Sequence, residues 1–124
     1  MKKLRKKLRI TNPQLLELIR FLKKKAVENK AEIWRDIAER LAVSRRRRVA
    51  VNVSRINRYT EKGDVVVVPG KVLGAGKLEH KVTVAAFSFS ETAKNKILKA
   101  RGKCLTIQDL VKKNPKGSNV KIIG

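Results

Sequence analysis

The chain has 124 residues with 32 Lys and Arg against ten Asp and Glu, a formal charge of +22, yet 42% of its residues are hydrophobic. Charge this dense opposes compaction and points to a polyanionic partner, while the apolar content separates the chain from a disordered basic tail. Cys104 and His80 each stand alone, which excludes an intramolecular disulfide and an ordinary zinc site within one chain, and no apolar run reaches the ~20 residues of a membrane span.

Residues 1–10 read as a basic arm holding Lys2, Lys3, Arg5, Lys6, Lys7 and Arg9, and residues 11–124 as a single α/β domain. A domain of that size buries roughly two thirds of its unfolded surface, so its core needs no metal to hold it. The arm has the basic start of a secretory signal but no apolar stretch behind it. Thr11-Asn12-Pro13-Gln14 then opens a helix: either Asn12 caps it with Pro13 at the first helical position, or Thr11 and Gln14 form a capping box. Leu15, Leu16, Ile19, Leu22 and Ala26 recur at helical spacing and carry it to about residue 29. A second helix over about 31–42 sets Ile33, Ile37 and Leu41 on one stripe, with Trp34 and Ala38 beside it. Glu32, Asp36, Glu39 and Arg40 occupy its other faces.

Arg45, Arg46, Arg47 and Arg48 form a second basic block that runs straight into a strand over 49–54, where valines alternate at period two. Arg55 and Arg58 continue the positive charge at its far end. After a turn at Lys62-Gly63-Asp64 come Val65 to Val68, the pattern of a strand buried on both faces. Residues 69–76, with one proline and three glycines, read as irregular. A third strand covers 81–87, and Ser90 caps a helix through Ala93, Ile97 and Leu98 that Gly102 closes as the left-handed residue. A short strand at 103–105 leads to Thr106, which with Asp109 caps a helix ending before Asn114-Pro115. Val120, Ile122 and Ile123 make the last strand. The order is two helices, then β-β-β-α-β-α-β, an α/β domain with a mixed sheet.

The glycine loop fails as a nucleotide motif. A P-loop beginning at position 71 needs Gly there and Ser or Thr at 78, where the chain has Lys71 and Leu78. A dinucleotide fingerprint from Gly74 needs Gly or Ala at 79, where it has Glu79. Its glycines either supply unusual φ angles or let Lys71 and Lys77 bring backbone close to a phosphate. Asp36, Asp64 and Asp109 each have a local task in a helix face, a turn and a cap, Cys104 reads as a small core residue and His80 as a surface side chain. Catalysis therefore has little support.

The basic runs at 2–9 and 45–48 contain no acid, unlike the mixed runs of a merely solvated face. Arginine offers a planar fork for phosphates and a surface for bases. The aromatics Phe21, Trp34, Tyr59, Phe87 and Phe89 do not form a base-stacking sheet cluster, and no GXXG clamp stands in a KH context. Phe21 and Trp34 fit helical core or rim positions; Tyr59, between Arg58 and Thr60, is the one aromatic placed to reach a base. Recognition by phosphate and shape follows, which describes a component of a large RNA particle. It equally describes an architectural, chromatin-like protein on double-stranded DNA.

Val65 to Ile97, VVVVPGKVLGAGKLEHKVTVAAFSFSETAKNKI, separates the two readings. With Asn12-Pro13 ahead of the first helix and Val51-Asn52-Val53-Ser54-Arg55-Ile56 before this stretch, nearly the whole chain resembles the archaeal and eukaryotic eighteen-e family of large-subunit ribosomal proteins, related to bacterial ribosomal protein L-fifteen. Its length fits the archaeal members. The resemblance implies an irregular β-β-α superhelix and a structural, non-enzymatic role on large-subunit rRNA, beside neighbouring ribosomal proteins in the cytoplasmic ribosome. It implies no cofactor, metal, membrane or small-molecule substrate. Gly70, Gly74 and Gly76, with Lys71 and Lys77, are the family-like loop; the arm, the arginine block, Arg55 and Arg58 are assigned to RNA on charge.

Overall fold

The computed structural model describes residues 12–42 and 49–124. Helices α1 (Pro13–Asn29) and α2 (Glu32–Leu41) come first, followed by β1 (Val49–Asn52), α3 (Val53–Tyr59), β2 (Val65–Leu73) and β3 (Thr83–Phe89). The chain ends with α4 (Glu91–Lys99), β4 (Lys103–Thr106), α5 (Ile107–Lys113) and β5 (Val120–Ile122). Asn12, rather than Thr11, caps α1: its Oδ1 accepts from the N–H groups of Gln14 at 2.9 Å and Leu15 at 3.3 Å.

The strands lie in the order β1-β2-β3-β4, with β5 also against β2. All of these pairings are parallel, so the mixed sheet expected from the sequence is not what forms. That expectation came from counting three strands in a row, and α3 breaks the count. Residues 53–59 are a helix rather than the end of a strand: Val53 and Ile56, three apart, bury together while Arg55, Arg58 and Tyr59 face out.

The sheet is covered on both faces. Val67 and Ala85 look toward Leu15, Leu18, Ile19 and Leu22 of α1, Trp34, Ile37 and Leu41 of α2, and Ile107 and Leu110 of α5. Val66, Val68, Val84 and Ala86 look the other way, toward Val53 and Ile56 of α3 and Ala93 and Ile97 of α4. The four valines of β2 thus divide between two cores, as a strand buried on both sides must. Trp34 is fully buried and donates its indole N–H to the carbonyl of Pro115 at 2.8 Å, tying α2 to the segment before β5.

Two further expectations are corrected. Strand β2 does not stop at Pro69 but runs to Leu73. A proline in a central strand removes a ladder donor, and the topology provides a place for it. Strand β5 pairs with residues 65–67 and β1 with residues 70–73, so Pro69 falls in the gap between two strands sharing one edge of β2. One extra residue between Val68 and Lys71 relative to β3 completes a bulge there. At the end of α4 the left-handed residue is Arg101, with φ 66°, not Gly102. Gly102 is required for another reason: a Cβ on it would overlap the carbonyl oxygen of Val82, to which Lys103 donates its N–H.

Candidate nucleic-acid interface

The connection from β2 to β3 sets the local geometry. Parallel neighbours need a crossover of a dozen or more residues, usually a helix, but here residues 74–82 make the return without one. The loop therefore packs directly on the helices of that face. A Cβ on Gly74 would stand 2.5 Å from Cγ2 of Thr92, and one on Gly76, whose φ is +91°, would overlap the Ser54 side chain. Ala75 is held on both sides, donating to Asn52 Oδ1 at 3.1 Å and accepting from Ser54 N–H at 3.2 Å. The ammonium of Lys96 then bridges the carbonyls of Gly74 and Gly76, each at 2.6 Å. A phosphate cradle turns N–H donors inward, whereas this loop offers two carbonyl acceptors to its own lysine. Gly70 has the same kind of task, lying where a Cβ would overlap the carbonyl oxygen of Val49. The three family-loop glycines are explained by close packing. Lys96, which organises the loop, has no signal in the sequence beyond its position on α4.

The predicted cations do not form one patch. Arg55 and Arg58 are exposed on α3, and Arg55 lines a groove of about 570 Å³ with Tyr59, Arg40 of α2, and Lys121 to Gly124. Lys77 lines a second groove of about 400 Å³ with Lys96, Lys99 and Glu79. Lys71 is exposed and alternates with buried Val72, so it points to the opposite face of the sheet. Lys2, Lys3, Arg5, Lys6, Lys7, Arg9 and Arg45 to Arg48 lie outside the described residues.

The acids divide these cations into paired and unpaired groups. Glu32, Asp36 and Glu28 pair with Arg35 at 3.7 Å, Arg40 at 3.0 Å and Lys25 at 3.0 Å, all on α1 and α2. Arg40 also donates to the carbonyl of Gly124 at 3.0 Å, which fixes it on the wall of the first groove. Lys121 on the edge of the same groove reaches Asp64 at 2.8 Å. That hydrogen bond, with a second from the Glu61 N–H, holds the Asp64 carboxyl below its usual range, and Asp64 in turn raises the Lys121 ammonium. Both groups face water, so the pair does more to orient Lys121 than to stabilise the fold. Among the described residues Arg55, Arg58, Lys71 and Lys77 have no carboxylate within 4.0 Å.

Cys104 and His80 are not brought together as a catalytic pair. The hydroxyl of Thr60 donates to the Ile56 carbonyl at 2.6 Å and so must accept from Nε2 of half-buried His80 at 2.8 Å, which fixes the tautomer and clasps the end of α3. Cys104 is half-buried against the second core, and desolvation pushes its thiol above the ordinary range despite the nearby Lys94. A group held as thiol is a poor nucleophile. We expect Cys104 to react with Ellman's reagent at pH 7.5 roughly tenfold more slowly than the same cysteine in urea-unfolded chain; equal rates would show an open thiolate. Among the described residues no three His, Cys, Asp or Glu side chains gather as a metal site, and no helix is long and apolar enough to cross a membrane.

These features define a class, a small parallel α/β protein with a glycine-pinned loop and, among the described residues, unpaired cations exposed at separate places on its surface. Comparison with known proteins narrows it. The family described as "Ribosomal protein 60S L18 and 50S L18e" matches residues 1–124. The large ribosomal subunit protein eL18 of Methanococcus maripaludis is 57% identical over 118 residues, covering 95% of this chain and 98% of that one. Its counterpart in Methanospirillum hungatei is 54% identical over 113 residues, covering 91% and 93%. That of Methanothermobacter thermautotrophicus is 51% identical over 118 residues, covering 95% and 98%. The chain belongs to this ribosomal L18/L18e family.

Proposed function

We propose that the chain is a structural, non-catalytic constituent of the large ribosomal subunit that binds and organises rRNA through phosphate contacts. The observation that carries the reading is the family match along the whole length, with relatives named as large-subunit proteins over nearly all of theirs. The packed body supports it as a rigid support for cations. The basic arm at 2–9 and the block at 45–48 neutralise phosphates of separate rRNA segments and hold them together. Arg55, Arg58, Lys71 and Lys77, with no acid partner among the described residues, add contacts from separate places on the body. Neighbouring ribosomal proteins are the other partners, in the ribosomes of the cytoplasm. The succession β2-β3-α4 is the β-β-α unit from which the superhelical arrangement would be built.

Sucrose-gradient sedimentation of lysate from cells expressing a tagged chain tests this reading. The expected result is one copy per large subunit, with none in the small-subunit peak. A chain that follows the nucleoid and leaves the large-subunit peak empty would overturn it in favour of a DNA-coating protein.

A further inference from the structure

The groove beside α3 carries a feature that phosphate contact does not use. Of the five aromatic residues, Trp34 is fully buried and Phe21, Phe87 and Phe89 are half-buried against the two cores. Tyr59 is 56% exposed and packs in neither core. It stands four residues after Arg55, on the same side of α3, and both line the groove of about 570 Å³. The guanidinium of Arg58 lies 5.9 Å from its ring centroid. Ile122 and Ile123 give the groove an apolar floor, while Arg40 and Lys121 on its edges are already committed to Asp36 and Asp64. Among the described residues beside the groove, the charges without a carboxylate partner are those of Arg55 and Arg58.

We propose that this groove is a pocket for one unpaired RNA base, stacked on Tyr59, with the flanking phosphates on Arg55 and Arg58. The proposal rests on the RNA-binding reading above and adds a site to it. An aromatic face beside an apolar floor suits the π-face of a base, which only a nucleotide out of its helix can present. The two phosphates flanking such a base match two arginines that have no acid partner. A neutral peptide would leave both charges unmet, and a fully paired helix would leave the tyrosine idle.

The test uses the full chain and two labelled RNA hairpins that differ only in one bulged nucleotide, titrated by fluorescence anisotropy at one salt concentration. The wild type should bind the bulged hairpin about tenfold more tightly than the paired one, and Tyr59→Phe should keep that ratio. Tyr59→Ala should bring the ratio to about one while leaving affinity for the paired hairpin within about twofold. Emission from buried Trp34 verifies that each variant is folded. Tyr59→Ala retaining the preference, Tyr59→Phe losing it, or a wild type that binds both hairpins equally would each overturn the pocket. A wild type that binds neither hairpin would overturn the RNA-binding reading and the pocket with it.

Discussion

Replacing Gly70 by alanine should destabilise the protein by on the order of 3 kcal/mol, a larger effect than its single added methyl suggests. The new Cβ would overlap the carbonyl oxygen of Val49 and stand 2.9 Å from the carbonyl carbon. Both are backbone atoms of the strand paired with Gly70, so no rotamer change relieves the overlap. Strand β1 has to move away from β2, and it takes the start of α3 with it, because Val53 follows Asn52 without a linker. The α3 core residues Val53 and Ile56 would lose their packing, and Arg55, Arg58 and Tyr59 their placement. Urea unfolding followed through Trp34 should show the midpoint lowered by roughly 1.5 M for an ordinary m-value near 2 kcal/mol/M. Gly63→Ala is the comparison. Gly63 has φ +88° with nothing within 4 Å of its would-be Cβ, so that substitution meets only the left-handed backbone penalty of about 1 kcal/mol. Equal costs at the two positions would refute the close-approach account of Gly70.

The same contrast explains what the sequence made legible. Helical periodicity found α1 and α2, because their buried residues repeat on one stripe over many turns. Ser90 and Thr106 announced α4 and α5, and each accepts the expected N–H bond, from Ala93 and Asp109 respectively, at 3.1 Å. The valine run declared its double burial through composition alone. Helix α3 is hidden in the sequence because Val51 and Val53 alternate as in a strand while being the end of one element and the start of another; Ile56, three residues after Val53, carries the helical spacing. The extent of β2 was hidden because Pro69 is a local signal, whereas the gap that tolerates it depends on where β5 and β1 pair. Parallel pairing was illegible for a related reason, since a nine-residue crossover through a glycine loop looks locally like a hairpin connection. For the interface, charge and sequence adjacency set Arg58 beside Tyr59, but only the fold shows Arg55 and Tyr59 lining one groove with Arg40 and Lys121 while Lys77 lines another. No local pattern could have shown that Lys96 is committed to two carbonyls.

If the arginine block holds phosphates, replacing Arg45, Arg46, Arg47 and Arg48 together by glutamine should flatten the salt dependence of RNA binding by about 3 in the slope of log affinity against log salt. Each neutralised phosphate contributes roughly 0.7–0.9 to that slope through counterion release. Between 50 and 200 mM salt the wild-type affinity should therefore fall about a hundredfold further than that of the variant. Glutamine retains length and hydrogen-bonding capacity, so the difference isolates charge. Because phosphate contacts carry no base information, the change should be similar for an rRNA fragment and an unrelated structured RNA. A control separates local contact from net charge: glutamine at Lys24, Lys25 and Arg35 removes three cations that already face Glu28 and Glu32 on α1 and α2. Those residues are sorted to the side where acids and bases offset each other, and their loss should change the slope by less than about 1. An unchanged slope in the block variant would remove these arginines from the interface. Proportionate flattening in the control would mean that RNA responds to the charge of the whole molecule rather than to where the cations stand.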